Sequence, residues 1–276
     1  MATVAELLTD AAAAGDESRR DAEILLGHCL EKSRSWLYTW PDAELDSATI
    51  TQFSSLMDAR KNGRPVAYLT GRRGFWTLNL QVNQYTLIPR PETEMLVEWA
   101  LELTLSPAAK VLDLGTGSGA IALSLASEKP NWHITGVDSS EPALEVARSN
   151  AKELQLESVQ FFQSNWYDAM PNQHFDLLIS NPPYIEPGDI HLSQGDLRFE
   201  PISALQSQDA GFADLVALIE GAPAHLNTGS YLLLEHGYQQ GGRVRELLAQ
   251  RGFTKIESRC DLAGQERLSG GCWNAQ

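Results

Sequence analysis

From Thr93 onward the chain alternates between helix-like and strand-like stretches, and this order limits the possible folds more than any other feature. The stretches read "ETEMLVEWALELTL", "AKVLDLG", "SGAIALSLASEK", "HITGVDSS", "EPALEVARSNAKEL", "VQFFQS" and "FDLLISN". This order is typical of successive βαβ units, in which parallel strands are joined by helices that cover the sheet. The sequence therefore predicts a doubly wound α/β domain, whose ligands bind beyond the carboxyl ends of the strands.

The residues before this alternation have helical patterning. Up to about residue 63, apolar side chains recur at spacings of three and four, namely at Leu7, Leu8, Ile24, Leu25, Leu26, Cys29, Leu30, Trp36, Leu37, Ile50, Phe53, Leu56 and Met57. Asn62 and Gly63, followed by Arg64 and Pro65, match the left-handed cap and the proline that end many helices. We therefore expect a small helical bundle.

The stretch that follows, "GFWTLNLQVNQYTLIPRPE", alternates apolar and polar positions. This pattern predicts a β-hairpin that turns near Val82–Gln84. The predicted organisation is a helical domain at 1–73, a β-hairpin linker at 74–92 and the α/β domain at 93–276.

The charge of the chain bears on its partners. The formal net charge is -15 and the sequence pI is about 4.8. Binding along a phosphate backbone needs clustered lysine and arginine, so nucleic acid is a disfavoured partner.

The cysteines, the histidines and the first residues of the chain indicate whether the protein binds metal and in which compartment it lies. Cys29, Cys260 and Cys272 are odd in number and form no CxxC pair, and the six histidines are scattered. The start of the chain carries Glu6 and Asp10 where a signal peptide would need a basic flank and an unbroken apolar stretch. No window approaches the roughly 18 consecutive apolar residues of a membrane span. We therefore expect a cytoplasmic protein with neither a bound metal nor a disulfide framework.

A glycine-rich segment, "VLDLGTGSGAIALSLA", lies between a predicted strand and a predicted helix. Gly115, Gly117 and Gly119 lack side chains where the backbone must turn tightly and approach a ligand. Asp138 ends the next strand, about 20 residues later, as does the acid that binds ribose hydroxyls in nucleotide sites. Together these residues predict a ligand of the adenosine type. A turn without a ligand, and an N-cap role for Asp138, remain as alternatives.

The strand "FDLLIS" ends in an Asn-Pro-Pro-Tyr turn on the same predicted edge of the sheet. Two successive prolines form no ladder hydrogen bonds, so the turn is stiff. The side-chain oxygen of Asn181 and the main-chain carbonyl of Pro182 are acceptors that together can fix the plane of an NH₂ group, and Tyr184 can lie flat on a planar amide or base. The turn therefore predicts a planar primary amine or amide as substrate: adenine, cytosine, guanine or glutamine. A rigid turn that only closes a strand is the alternative.

These motifs together resemble a known family. Gly115 to Gly119 with Asp138 are similar to the cofactor loop of class I S-adenosylmethionine-dependent methyltransferases, which have a Rossmann-like fold, and "NPPY" resembles the signature of members that methylate exocyclic or amide nitrogen. With "TLIPRPETE", "LDLGTGSGAIAL" and "GDLRFEPISAL" behind a helical N-terminal domain, the chain resembles the release-factor glutamine N5-methyltransferases, the HemK/PrmC family, over nearly its whole length.

The resemblance implies an activity and a set of site residues. The activity is methylation of the glutamine in the Gly-Gly-Gln motif of class I peptide chain release factors, with S-adenosylmethionine as methyl donor. The implied cofactor contacts are Gly115, Thr116, Gly117, Ser118, Gly119, Asp138, Trp166 and Asn181. The glutamine amide is assigned to Asn181, Pro182, Pro183 and Tyr184, of which Asn181, Pro182 and Tyr184 form the catalytic group.

The sequence departs from the family pattern at two positions. Asn165 stands before Trp166 where the family often has aspartate, and an asparagine carbonyl can still accept from the adenine amino group. Gly74 stands where the family usually has an acid, which affects only a local hinge contact.

Three further residues and one loop have open roles. Asp113 is predicted either to orient the glycine loop by accepting N–H bonds or to be only a strand-end carboxylate. Glu235 and His236 form a strand-end pair, for which a structural role is favoured. The long polar stretch "YIEPGDIHLSQGDLRFEPISAL" is expected to border the substrate cleft.

Other functions fit parts of the sequence. A ribosomal-protein glutamine or an exocyclic amine of a nucleic acid would suit the same turn, although the net charge of -15 disfavours nucleic acid. A nicotinamide-dependent oxidoreductase would explain the glycine loop but not the Asn-Pro-Pro-Tyr turn. An adaptor that binds release factors without chemistry would leave Asn181 and Tyr184 without a role.

Overall fold

A computed structural model describes residues 2–13 and 15–274 of the chain. The chain divides into two compact units, which are Met1–Arg72 with Gly195–Phe199, and Arg73–Gln194 with Glu200–Gln276.

The first unit is helical. Its helices are α1 (Val4–Ala12), α2 (Asp16–Leu30), α3 (Arg34–Thr39), α4 (Ser47–Lys61) and α5 (Val66–Thr70). Three of them begin at a capping side chain, because Thr3, Ser33 and Asp46 each accept a backbone N–H of the first turn. The helices enclose a core of Val4, Leu8, Ala11, Ala22, Leu25, Leu26, Leu37, Leu45, Phe53 and Met57. The predicted helical bundle is therefore present.

The end of α4 and the exposure of one apolar side chain can be compared with the sequence prediction. Gly63 follows α4 with φ at +91°, and the N–H of Arg64 donates to the carbonyl of Ala59, so the predicted helix end is correct. Ile24, one of the apolar residues in the helical spacing, is 51% exposed. The segment Gly195–Phe199 belongs to this unit, and within it Asp196 accepts a hydrogen bond from Arg60 at 2.8 Å.

The hairpin lies earlier than its predicted position. Its strands are β1 (Arg72–Phe75) and β2 (Leu78–Gln81), which form a two-stranded sheet. The chain turns between them at Trp76, which has φ at +55° and donates its N–H to Glu94 at 2.9 Å. The predicted turn near Val82–Gln84 is wrong as the hairpin turn. A separate turn lies there instead, held by the side chain of Asn83, which accepts the N–H of Tyr85 at 2.9 Å.

The second unit is built on a seven-stranded sheet in the order β5-β4-β3-β6-β7-β9-β8. The strands are β3 (Lys110–Leu114), β4 (His133–Asp138), β5 (Gln160–Gln163), β6 (Phe175–Ser180), β7 (Leu226–Glu235), β8 (Thr254–Cys260) and β9 (Glu266–Trp273). Strands β3 to β7 pair in parallel, and β9 runs antiparallel to β7 and β8. The helices of this unit are α6 (Glu94–Glu102), α7 (Ala120–Glu128), α8 (Glu141–Glu153), the single turn α9 (Gln208–Gly211), α10 (Ala213–Gly221) and α11 (Gly241–Arg251). The predicted α/β class is confirmed.

Alternate strand residues face opposite layers of helices, as the period of two requires. On β3, Val111 packs in the layer that contains α6 and α7, whereas Leu112 and Leu114 pack in the layer that contains α10 and α11. Both faces of the sheet are therefore covered, which explains why β3 and β6 are buried at nearly every position.

The order of the strands sets the position of the site. The chain leaves β3 toward β4 on one side, while β6 lies on the other side of β3. A crevice opens where strand order reverses in this way, beyond the carboxyl ends of the strands. The glycine loop, Asp138 and Asn181 lie at that edge because they end or follow β3, β4 and β6. Within residues 2–13 and 15–274, no helix combines the length and the apolar character needed to cross a membrane.

Candidate active site

A cavity of about 320 Å³ opens at this edge of the sheet, at the lower end of the usual range for ligand sites. Of the residues predicted to form the site, its lining includes Gly115, Gly117, Asp138, Trp166, Asn181 and Pro183, together with Asn165. Residues from four segments, at or after the ends of β3, β4, β5 and β6, thus meet in one space.

The glycine loop leaves β3 with its backbone against β4. The N–H groups of Gly115 and Thr116 both donate to the carbonyl of Val137, at 2.8 and 2.9 Å. Gly115 has φ at +76°, and a Cβ there would lie 3.4 Å from the ring of Trp166. Gly117 has φ at +55°, and a Cβ there would meet nothing within 4 Å, so its backbone borders open space. Both conformations favour glycine.

The other loop residues support this backbone without lining the cavity. Thr116 and Ser118 are buried, and Gly119 precedes the first turn of α7. The carbonyl of Ser118 accepts a hydrogen bond from the side chain of Asn150 at 2.9 Å. Asn150 also bonds the backbone of Gln81 on β2, so one buried amide ties the loop, the hairpin and α8 together. No motif in the sequence indicates this role of Asn150.

Asp113 supports the glycine loop through hydrogen bonds. Its Oδ2 accepts the hydroxyl of Thr116 at 2.6 Å and the N–H of Ala122 at 3.2 Å. This geometry favours the loop-orienting role over a plain strand-end carboxylate. Its Oδ1 is buried without a hydrogen-bond partner in the described part of the chain. Burial raises the pKa of Asp113 to about 7, with a smaller contribution from the nearby charge of Asp138, while the bonds from Thr116 and Ala122 oppose the shift.

Asp138 borders the cavity with both carboxylate oxygens held in place. Its Oδ2 accepts the N–H of Gly117 and its Oδ1 accepts the N–H of Ser140, each at 2.9 Å. Ser140, rather than Asp138, caps α8 through the N–H of Ala143, so the N-cap alternative for Asp138 does not apply. Burial raises the pKa of Asp138, and the two N–H bonds oppose this shift. A carboxylate oxygen has further lone pairs, so Asp138 can also accept from ligand hydroxyls.

An aromatic wall faces the glycine loop. The ring of Trp166 packs over Gly115, and its Nε1–H donates to Asp214 at 3.3 Å. Asn165 borders the cavity beside Trp166, and Asp214 lines it from the start of α10. The sequence does not indicate a role for Asp214, because nothing in the pattern of α10 connects it with the glycine loop.

The Asn-Pro-Pro-Tyr turn forms the wall beyond β6. Asn181 and Pro183 line the cavity, and Pro182 is buried behind them. The Nδ2 of Asn181 donates to the hydroxyl of Thr93 at 3.0 Å. The hydroxyl of Tyr184 donates to the Oε1 of Glu235 at 3.2 Å, and burial with the adjacent carboxylate raises the pKa of this phenol.

Glu235 and His236 have different surroundings at the end of β7. The Oε2 of Glu235 accepts the hydroxyl of Thr93 at 2.7 Å, and burial raises the pKa of this carboxyl to about 7. His236 bonds the carbonyl of Gly237 and the hydroxyl of Ser269 through its two ring nitrogens. His236 is fully buried and has the structural role that the sequence favours.

Two loops complete the cavity. One contributes Tyr85, Thr86 and Leu87, and the other contributes Pro201, Ser203, Ala204 and Gln206 from the long polar stretch. The buried carboxylate of Glu200 joins them by accepting from the N–H of Ile88 at 2.9 Å and from the guanidinium of Arg90. The "RFEP" and "IPRPETE" segments are therefore in direct contact. In the described part of the chain, no three His, Cys, Asp or Glu side chains are grouped as metal ligands.

Solved structures share the fold of the second unit. A methyltransferase from Pyrococcus furiosus aligns with a TM-score of 0.56 and 19% identity, covering 80% of this chain and 100% of its own. A 16S rRNA methyltransferase from T. thermophilus, solved with AdoMet and guanosine, aligns with a TM-score of 0.51 and 18% identity, covering 73% of this chain and 49% of its own. At these identities the likeness concerns the fold, and it confirms the predicted Rossmann-like methyltransferase architecture.

Family models and curated relatives extend the likeness to the whole chain. The model of the PrmC N-terminal domain matches residues 3–71, and that of the methyltransferase small domain matches residues 92–196. The release factor glutamine methyltransferase of Shewanella oneidensis is 47% identical over 95% of this chain and 92% of its own length. That of Pseudomonas aeruginosa is 47% identical over 99% of both chains. The chain therefore belongs to the release factor glutamine methyltransferase family, as its motifs predicted.

Proposed function

We propose that this protein transfers a methyl group from S-adenosylmethionine to the side-chain amide nitrogen, N5, of the glutamine in the Gly-Gly-Gln motif of class I peptide chain release factors. The main support for this proposal is that the glycine loop, Asp138 and the Asn-Pro-Pro-Tyr turn all contribute residues to one cavity. Family membership over nearly the whole chain supports the choice of substrate.

The cavity suits S-adenosylmethionine. Its carboxylate at Asp138 can accept the ribose hydroxyls, and the open space at Gly117 lets the backbone approach a ligand closely. Trp166 offers an aromatic face, and Asn165 offers an amide for the adenine edge. Thr116, Ser118 and Gly119 complete the proposed cofactor loop through its backbone. When bound, the cofactor supplies an electrophilic methyl group on a positively charged sulfur.

The protein's part in the reaction is orientation of a weak nucleophile. An amide nitrogen has its lone pair delocalised into the carbonyl. We assign the side-chain oxygen of Asn181 and the carbonyl of Pro182 to the two N–H bonds of the glutamine amide. Pro183, which lines the cavity, and Tyr184, whose hydroxyl is held by Glu235, complete the proposed substrate group. Holding both N–H bonds favours the pyramidal nitrogen of the transition state and aligns it with the methyl carbon.

No strong base is needed for the transfer, because the proton leaves after the new bond has formed. The nitrogen lone pair forms the new N–C bond, the bond between the methyl carbon and sulfur breaks, and its electron pair returns to sulfur. The nitrogen becomes cationic and then loses a proton to solvent. The products are N5-methylglutamine and S-adenosylhomocysteine.

We further propose distinct tasks for the parts of the chain. The helical domain at 1–73 and the hairpin linker at 74–92 would receive the release factor, and 93–276 would carry out the transfer. The net charge of -15 disfavours direct nucleic-acid binding. We propose the cytoplasm as the compartment, because release factors act there on ribosomes.

The test is transfer of labelled methyl from S-adenosylmethionine to purified unmethylated release factor, beside the same release factor with its Gly-Gly-Gln glutamine replaced. We expect label on the first protein and none on the second. Label on neither, with cofactor binding demonstrated by calorimetry, would contradict the proposed substrate. Ribosomal protein and nucleic acid would then be tried as acceptors.

A further inference from the structure

Two residues behind the Asn-Pro-Pro-Tyr turn form a hydrogen-bonded chain that ends at Asn181. Glu235 lies at the end of β7 and Thr93 lies in the turn before α6, and these two residues are only 2% and 4% exposed. The carboxylate accepts the hydroxyl of Thr93 at 2.7 Å, and Thr93 accepts Nδ2–H of Asn181 at 3.0 Å. The other carboxylate oxygen accepts the hydroxyl of Tyr184 at 3.2 Å.

The chemistry of these groups fixes the direction of each hydrogen bond. An ionised carboxylate can only accept, so Thr93 must use its single hydroxyl hydrogen on Glu235. The oxygen of Thr93 is then available only as an acceptor, and the one donor that Asn181 can offer it is the Nδ2 group. The amide orientation of Asn181 therefore follows from the network.

The orientation matters because the two ends of an asparagine amide have opposite hydrogen-bonding character. With Nδ2 held by Thr93, the side-chain oxygen of Asn181 remains to face the cavity that Asn181 lines. A substrate NH₂ group presents donors and requires this oxygen. In the flipped amide, Nδ2 would face the substrate, donor against donor, and the nitrogen lone pair would not be aligned.

We propose that Glu235 and Thr93 are positioning residues that set the amide of Asn181 with its oxygen toward the substrate nitrogen and hold the ring of Tyr184 beside it. The inference rests on the proposed function for its substrate. It goes further than that function because Glu235 and Thr93, which do not line the cavity, determine which end of the Asn181 amide faces the substrate.

The charged groups around Glu235 act in opposite directions on its pKa. Glu92 from the same turn as Thr93 raises the pKa of Glu235, while Arg267 on β9 lowers it. Burial is the largest cause and raises this pKa to about 7. Above that pH the carboxylate is the acceptor that the network requires.

The kinetic test compares two variants at Thr93. Thr93→Val keeps the shape of the side chain and removes the hydroxyl, whereas Thr93→Ser keeps the hydroxyl. We expect Thr93→Val to lower kcat roughly 100-fold, because misplacement of a reacting group by about 1 Å has effects of this size, while the Kd of S-adenosylmethionine stays within about twofold. Thr93→Ser is expected to retain most of the wild-type kcat.

A second variant controls for the loss of a buried hydroxyl as such. Ser269 is fully buried on β9 and bonds His236 and Ser258, so Ser269→Ala removes a buried hydroxyl bond without touching Asn181. Its kcat is expected to match that of the wild type. Wild-type kcat in Thr93→Val, or equal losses in Thr93→Val and Thr93→Ser, would overturn the proposal.

A measurement that needs no methyl transfer separates this inference from the proposed function. The side-chain amide signal of Asn181, assigned by its absence in Asn181→Ala, is followed by nitrogen–proton NMR. We expect it to shift and to exchange faster with solvent in Thr93→Val but not in Thr93→Ser. If the wild type methylates no release factor, the proposed function fails. The NMR signal still tests whether Thr93 holds the amide of Asn181. An unchanged signal in Thr93→Val would overturn it.

Discussion

The carboxylate of Asp138 offers the sharpest test of the cofactor site. In Asp138→Asn one of the two acceptor oxygens becomes an NH₂ donor, which must face either the N–H of Gly117 or that of Ser140, each now 2.9 Å from an oxygen. A hydrogen bond to a charged group contributes about 1.5–3 kcal/mol, and the charge that would hold the ribose hydroxyls is also lost. The combined loss is about 3 kcal/mol, or roughly 100-fold in Kd.

Calorimetric titration with S-adenosylmethionine measures this change. Asp176→Asn is a matched control, because Asp176 also accepts a backbone N–H, from Lys110 at 2.8 Å, but lies at the opposite end of the sheet. We expect its Kd to equal that of the wild type. A Kd for Asp138→Asn within about threefold of the wild type would refute the assignment of Asp138 to the cofactor.

Three further predictions concern other parts of the molecule. Because protonation of Glu235 adds an O–H that can donate to Thr93 and reverse this hydrogen bond, kcat is expected to fall as the pH falls through about 7, and Glu235→Gln is expected to lack this step in its pH–rate profile; the same step in both proteins would contradict the role of the carboxylate. Glu200→Gln removes the buried negative charge that pairs with Arg90, so urea unfolding is expected to show a loss of about 1–3 kcal/mol, and an unchanged midpoint would show that the charge of this contact does not stabilise the fold. Deleting residues 1–63 is expected to raise the KM for intact release factor while leaving the Kd of S-adenosylmethionine unchanged, and equal KM values would rule out docking by the helical domain.

Local patterns in the sequence predict the main architecture. The alternation after Thr93 is sufficient for the α/β class, because each strand and helix is indicated by its own local run of residues. The left-handed cap at Gly63 could be predicted for the same reason, since it depends on neighbouring residues only. The glycine loop and Asp138 could be placed together because parallel strands end at one edge of a sheet.

Contacts between distant segments were not predictable in this way. Glu235 and Thr93 are separated by 142 positions, and no period or motif indicates that a carboxylate and a hydroxyl meet behind Asn181. The hairpin turn was misplaced because Trp76 is not a turn residue by propensity. Its left-handed conformation accompanies a hydrogen bond to Glu94, which lies beyond the hairpin. At Trp76 a tertiary contact thus overrides the local turn preference.

The most direct test of the account is to locate the transferred methyl group. Unmethylated release factor is incubated with S-adenosylmethionine and either the wild-type protein or Asn181→Ala, and the peptide that contains the Gly-Gly-Gln motif is then fragmented in a mass spectrometer. We predict one added methyl group on the glutamine side chain with the wild type, and none with Asn181→Ala despite retained cofactor binding. Methylation at another residue, or full methylation by Asn181→Ala, would contradict the claim that the Asn-Pro-Pro-Tyr turn orients a glutamine amide.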